Sequence, residues 1–317
     1  MSRLISTEKR LLKDPNVASV YSREIESMVH RGATRKLTEQ EIQVYQGPKF
    51  YIAHHAVMKP DSSSTPCPMV FNSSAKYHGH CLNDYYAKGP DMLNNLLGIL
   101  LRFREEHTAF VGDISKMFHT IQIPEVDQMT HRFLWRNLEP YRIPDTYVMT
   151  AVNMGDKPSG SMAMVALKKT AEMKTIEYPI SSSTILMNSY MDDIIDSIQT
   201  YEKAKSVTEE IDEILEIGGF RIKEWVISGS SIMTQQPSVF NGPKRNSEAG
   251  ASQRVLGIQW DPERDLFKFR VSLPHEIPAT FTKRVILSQI NSIYDPLGLI
   301  APFTVVAKIL LRKLWAA

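Results

Sequence analysis

The stretch Tyr190-Met191-Asp192-Asp193 constrains this chain more than any other. Two adjacent carboxylates stand between the apolar runs Thr184-Ile185-Leu186-Met187 and Ile194-Ile195, and both runs read as buried strands. Carboxylates beside buried strands are costly unless water, hydrogen bonds or a metal compensate them. Successive strand residues point to opposite faces, so on a straight strand the two Asp could not serve one site. A tight turn at Met191-Asp192 lifts that restriction. Asp192 then projects from a hairpin tip, and Asp193 sits beside it, either binding metal or shaping the field. The same four residues also suit a polar hairpin tip in water.

A second acid lies upstream in Ala109-Phe110-Val111-Gly112-Asp113, a short apolar strand that turns into a helix-like segment over 115–121. Asp113 either caps that helix or carries chemistry. Its combination with the Asp-Asp hairpin favours chemistry. Two strand-borne acid sites separated by a helical stretch are what a two-metal phosphoryl or nucleotidyl transfer centre requires. In such centres two Mg²⁺ ions about 3.5–4 Å apart clamp the attacking and leaving oxygens, and Mg²⁺ prefers carboxylate and phosphate oxygen.

Asp113 followed five residues later by Phe118, and then by Tyr190-Met191-Asp192-Asp193, resembles the catalytic palm of reverse transcriptases. Further segments resemble the BEL/Pao class of long-terminal-repeat retrotransposons, in that family's order. They are Tyr51-Ile52-Ala53-His54-His55-Ala56-Val57, Leu82-Asn83-Asp84, Gly89-Pro90-Asp91-Met92-Leu93-Asn94, Asp113-Ile114-Ser115-Lys116-Met117-Phe118-His119, Gly218-Gly219-Phe220 and Tyr294-Asp295-Pro296-Leu297-Gly298-Leu299-Ile300-Ala301-Pro302-Phe303.

The resemblance implies an α+β right-hand polymerase with fingers, palm and partial thumb, and an antiparallel palm sheet carrying the catalytic Asp residues. Its parts would be an N-terminal helical extension at 1–36, fingers at 37–108 and a palm at 109–253 with an interleaved fingers segment at about 125–155. A primer-grip-like hairpin at 254–275 and the start of a truncated thumb at 276–317 would follow. The implied activity is RNA-directed DNA polymerisation, adding dNTPs to a primer 3′-hydroxyl on an RNA or DNA template. Asp113, Asp192 and Asp193, with the backbone carbonyl of Ile114, would hold two Mg²⁺, for which Mn²⁺ could substitute. Lys223 would protonate departing pyrophosphate, with the neighbouring Glu224 standing where close relatives often carry Lys. Lys59 would hold the triphosphate, Phe118 would exclude a 2′-hydroxyl, and Gly155 and Lys157 would help position template and nucleotide. Leu256, Gly257 and Trp260 would grip the primer, with core packing an equal reading for Trp260.

One position departs from the family. Where those polymerases carry an Arg that contacts the triphosphate, this chain has Pro68 in Cys67-Pro68-Met69-Val70-Phe71. Proline offers neither a charge nor an N–H donor, whereas a forked, charge-assisted bond to phosphate is worth about 1.5–3 kcal/mol. Two rivals to an active polymerase therefore stand: a decayed or domesticated nucleic-acid-binding relative, and an unrelated Mg²⁺-dependent phosphohydrolase using the same carboxylates.

Composition sets limits. With 317 residues, 43% of them hydrophobic, the chain can bury a substantial core and form two or three subdomains. A formal net charge of +2 means that nucleic-acid affinity must come from local basic patches. Cys67 and Cys81 form no metal-binding spacing and imply a reduced, cytoplasmic protein, with retrotransposon particles as one setting. No signal peptide or membrane-length apolar run is visible, so no membrane association is expected. His54 and His55 are adjacent on a strand, face opposite ways and lack a third ligand, which argues against a metal site.

Along the chain, 6–30 reads as a solvated helix stopped by Gly32, ahead of the polymerase core. Strands are expected at 50–57 and 69–71 around a polar loop, then helices at 92–104, 161–174 and 202–217, and a strand at 220–227. Residues 228–252 read as a flexible connection, 254–260 and 266–271 as two strands, and 282–293 and 303–315 as helices. Nothing in the sequence resembles an RNase H, integrase or aspartic protease domain, other domains of such an element's polyprotein.

Overall fold

The computed structural model describes residues 1–57, 69–229, 253–269 and 282–316. In chain order the elements begin with α1 (Ser2–Leu11), α2 (Pro15–His30), β1 (Thr34–Lys36), α3 (Glu39–Val44), β2 (Ala53–Ala56) and β3 (Met69–Asn72). Next come α4 (Leu96–Arg102), β4 (Thr108–Ile114), α5 (Met117–Thr120), α6 (Glu125–Gln128), β5 (Arg132–Trp135), β6 (Asp145–Met149) and α7 (Ser159–Glu172). Then follow α8 (Pro179–Asn188), β7 (Ser189–Tyr190), β8 (Asp193–Ile198), α9 (Tyr201–Ile217) and β9 (Ile222–Ile227). The chain closes with β10 (Gln253–Val255), β11 (Ile258–Asp261), β12 (Leu266–Lys268), α10 (Lys283–Asn291) and α11 (Ala301–Ala316). These divide into two compact units: 1–93 with 116–169 and 218–220, and 94–115 with 170–217 and 221–317.

In the first unit the N-terminal segment departs from its expected character. It forms two helices, because Asp14 caps α2 by accepting from the Asn16 and Val17 N–H groups with Pro15 in the first turn. Neither helix is merely solvated. Leu4, Leu11, Ala18, Tyr21, Ile25 and Met28 recur at helical spacing and are buried in one cluster with Phe71, Phe133 and Trp135. Charged residues on the outer faces hide this stripe when the segment is read linearly. Around it lie the antiparallel sheet β1-β6-β5 and the β2–β3 hairpin.

His54 sits inside this core. The Tyr21 hydroxyl lies 2.5 Å from Nδ1, and Nε2 lies 2.9 Å from the Leu134 carbonyl. A carbonyl only accepts, so Nε2 carries the hydrogen and Nδ1 accepts from the tyrosine. Burial pushes this ring down to about 4, against the Leu134 carbonyl, which favours the charged form. Below pH 6.5 the unfolded chain therefore binds a proton that the folded chain refuses until about pH 4. From this group alone the unfolding free energy should fall by about 3 kcal/mol between pH 7 and 4. His54→Gln keeps a donor for Leu134 and should flatten that part of a urea-midpoint profile against pH. An unchanged slope would count against a buried neutral ring.

The second unit is built on the antiparallel sheet β7-β8-β4-β9. One face packs Ala109, Val111 and Ile195 against Ile99, Leu100 and Phe103 from α4 and its end, and against Val255, Ile258 and Trp260 of the sheet β10-β11-β12. The opposite face carries α8 and α9. There the Trp225 ring lies on Gly112, where a Cβ would come within 2.6 Å of it, and the indole N–H reaches Asp212 of α9 at 3.1 Å.

Three expectations change here. Thr184 to Met187 belong to α8, not to a strand, so the hairpin's first arm is only the two residues of β7. A four-residue apolar run carries no periodicity, and the helix instead starts at Pro179 in its first turn. The run 254–260 is two strands, split by a turn where Leu256 and Gly257 have φ of 47° and 89°. The helix expected at 92–104 is shortened to α4, with Asn95 as its cap. The connection expected at 228–252 lies almost wholly outside the described residues, and the end of the strand at 266–271 lies outside them also.

Candidate active site

β4 supplies the first carboxylate through its register. It pairs with β8 so that Asp113 stands directly opposite Asp193, and β7 turns into β8 through Met191 and Asp192. Met191 adopts φ of 55°, the left-handed conformation that a two-residue hairpin turn needs. The Ile114 N–H then donates to the Asp192 carbonyl at 2.7 Å, tying the hairpin tip to the end of β4. Direct partners in an antiparallel pair share a face, so Asp113 and Asp193 project to the same side with Asp192 at the adjoining tip.

On its other side β4 pairs with β9, and the register shifts between Gly112, opposite Trp225, and Ile114, opposite Ile222. Asp113 thus faces two residues, Lys223 and Glu224, across a bulge. Lys223 is exposed and its charge acts on Asp113.

Like charges opposite one another destabilise a sheet, and this site carries that cost. Partial desolvation of its carboxyl and the charge of Asp192 raise Asp113 above the usual range, with Lys223 opposing. Burial, then the charges of Asp192 and Asp113, push Asp193 up to about 7. The donors are all carboxylate oxygens, the type that hard divalent cations take, and a dication would relieve the repulsion. The chemistry of the donor set therefore fits Mg²⁺. Among the described residues no three or more His, Cys, Asp or Glu side chains are gathered as a ready ligand set. Ligation would accordingly draw on Asp113 and Asp192 with a backbone carbonyl such as that of Ile114.

The second unit thus brings together Asp113, Ile114, Asp192, Asp193 and Lys223. It also holds Leu256, Gly257 and Trp260, but Trp260 is fully buried, edge-on to Phe103 and hydrogen-bonded to Asp265 at 2.8 Å. The indole is therefore packed in the core, with Leu256 at the edge of the same cluster. Phe118, Gly155 and Lys157 belong to the first unit, where Phe118 is 7% exposed. Lys59 and Pro68 lie outside the described residues.

The loop 154–160 is fixed by side chains to which the sequence alone assigns no role. Asp156 accepts from the Ser73 hydroxyl and from Asn153 at 3.0 Å, and pairs with His131 Nε2 at 2.8 Å in the interior. Burial works against a charged His131, but the bond to Asp156 and its charge outweigh it and raise the ring above its ordinary value. Asn83 clamps the same loop, donating to the Gly155 carbonyl and accepting from the Lys157 N–H at 3.0 and 2.8 Å. An acid beside a glycine and a lone distant histidine give no pattern in one sequence, which is why this network stays hidden there.

A Cβ on Gly155 would stand 2.3 Å from the Phe71 carbonyl oxygen. The small residue is required by backbone approaching backbone. Gly155→Ala should therefore cost about 2–3 kcal/mol of stability, read as a lowered urea midpoint; a midpoint within error of wild type would show that the loop can give way.

Residues 282–317 match the family model described as the Pao retrotransposon-like RNaseH-like domain. The match falls on the segment expected from sequence to begin a thumb, in a chain where no RNase H resemblance was expected. No curated protein matches the chain. Among solved structures it is similar to the foamy viral protease-reverse transcriptase in complex with an RNA/DNA hybrid, at 18% identity and a TM-score of 0.48 over 66% of this chain and 24% of that one. It is likewise similar to the foamy viral protease-reverse transcriptase dRH in complex with double-stranded DNA, at 18% identity and a TM-score of 0.47 over 64% of this chain. The chain spans 24% and 30% of the lengths of those two proteins. No helix among the described residues is long and apolar enough to cross a membrane.

Proposed function

We propose that this chain is the polymerase part of a retroelement polyprotein and catalyses RNA-directed DNA synthesis from a primer. The observation that carries this reading is the register that sets Asp113 opposite Asp193 with Asp192 at the adjoining tip. The family match at 282–317 supports a retroelement origin. Asp113 and Asp192, with the Ile114 carbonyl, would hold two Mg²⁺ ions, and Asp193 would set the field around them. When bound, such ions lower the pKa of the primer hydroxyl and neutralise the triphosphate.

The chain's own groups supply the rest. Lys223, exposed on β9 opposite Asp113, would donate a proton to departing pyrophosphate, a contribution of about 10²–10⁴-fold. Phe118 would exclude a ribose 2′-hydroxyl, Lys59 would grip the triphosphate, and the clamped Gly155-Lys157 loop would position the template base. Template and primer would be held mainly through phosphate and sugar, independent of sequence.

Pro68 motivates a second reading, a relative that binds nucleic acid without extending a primer. Primer extension on poly(rA)/oligo(dT) with Mg²⁺ or Mn²⁺ separates the two. Extension by wild type that is lost in Asp192→Asn supports the polymerase. Extension only in Pro68→Arg supports decay, and template binding without extension in any form supports a binding module.

A further inference from the structure

The first unit holds a recess that the carboxylate site does not use. It measures about 490 Å³ and opens between the start of α1, the segment 49–54 and the segment after β3. Two tyrosines on its wall are exposed, Tyr51 at 44% and Tyr77 at 71%. Neither is loosely held. The Tyr51 backbone bridges Arg132, whose buried guanidinium lies 6.0 Å from the Tyr51 ring centroid. Tyr77 exchanges backbone hydrogen bonds with His80 at 2.7 and 3.1 Å. An exposed ring on an anchored backbone presents a face on which a flat ligand can stack.

The charged side chains that line this recess and its neighbour, among the described residues, have one sign. Arg3 and Lys49 line the recess, Arg10 lines the smaller one beside it, and no carboxylate among the described residues lines either. The single acid of α1, Glu8, is buried in a two-pronged bond with Arg136 at 2.8 and 2.6 Å. Arg3 is itself anchored, its guanidinium donating to the Lys76 carbonyl. Stacking surfaces set among cations are the chemistry that binds a polyanion with exposed planar groups.

We propose that this recess binds single-stranded nucleic acid, taking unstacked bases on Tyr51 and Tyr77 and backbone phosphates on Arg3, Lys49 and Arg10. A duplex keeps its base faces covered and cannot use the rings. An acidic peptide would use the cations and leave the rings idle. The site does not depend on the carboxylate reading, because all of its lining residues belong to the first unit and the carboxylates to the second.

The test is fluorescence anisotropy of the full chain with labelled twelve-nucleotide oligo(rU), oligo(dT) and a blunt duplex, with circular dichroism as the folding control. Tyr51→Ala and Tyr77→Ala should each weaken single-strand binding about five- to a hundredfold, leave duplex binding unchanged, and be rescued by Phe at the same position. Arg3→Ala with Lys49→Ala should reduce the slope of log affinity against log salt by about 0.7 for each phosphate no longer neutralised. A preference for rU or for dT supports the site and names its strand. Unchanged single-strand affinity in a folded Tyr51→Ala/Tyr77→Ala double variant overturns the proposal, as does displacement of the oligonucleotide by polyglutamate at equal charge concentration.

Discussion

Primer extension by the Asp192→Asn chain should fall at least about a thousandfold below wild type, a loss of roughly 4 kcal/mol of transition-state stabilisation. The substitution changes almost no volume and removes one charge at the hairpin tip. The tip itself should survive, because it is held by the bond from the Ile114 N–H to the Asp192 backbone carbonyl, which the substitution leaves in place. Lower repulsion on Asp113 and Asp193 should, if anything, raise the stability of the metal-free protein. Loss of extension with an unchanged or higher melting temperature is therefore the diagnostic pair. Asp113→Asn should behave alike, and Lys223→Ala should lose about 10²-fold or more while retaining template binding. If wild type extends a primer and Asp192→Asn extends it equally well, these carboxylates are not the reaction centre.

Much of this site is legible in the sequence because it is local. A turn at Met191-Asp192 and a strand ending at Asp113 follow from short apolar runs and the acids that interrupt them. What stays hidden depends on partners distant in sequence. The pairing of Asp113 with Asp193 spans the whole of α7 and α8, and the bulge at Lys223 and Glu224 exists only against β4. The helix α8 shows the limit most plainly: Thr184 to Met187 are apolar and β-compatible, yet tertiary packing against β8 selects a helix. The same holds for α1 and α2, whose buried stripe has meaning only once Phe133 and Trp135 are opposite it. Asp156 and His131, 25 residues apart, carry no recognisable spacing at all.

In the metal-free protein, the contribution of Asp193 to stability should fall as pH rises from about 4 to 7, opposite in sign to that of His54, so the stability of wild type relative to that of Asp193→Asn should fall over this window. The sign follows from the direction of the shift. Asp193 has its folded-state value raised to about 7, by burial first and then by the charges of Asp192 and Asp113. The folded chain holds this proton more tightly than the unfolded one, so the stability it confers is complete below the unfolded value near 4 and is lost as pH passes through 7. Full conversion of that shift gives about 4 kcal/mol, and sharing of charge among three coupled carboxylates reduces what any one substitution recovers to about 2–4 kcal/mol. Mg²⁺ should act in the opposite direction. By neutralising the ionised site it should restore stability at pH 8 in wild type, with little effect at pH 5, where Asp193 is protonated. Urea midpoints at pH 5 and 8, with and without 10 mM Mg²⁺ as roughly a saturating concentration, would measure both effects. A difference between wild type and Asp193→Asn that ignores pH, with a wild-type midpoint that ignores Mg²⁺ at pH 8, would mean that Asp113, Asp192 and Asp193 do not share a field, and the two-metal reading would fall with it.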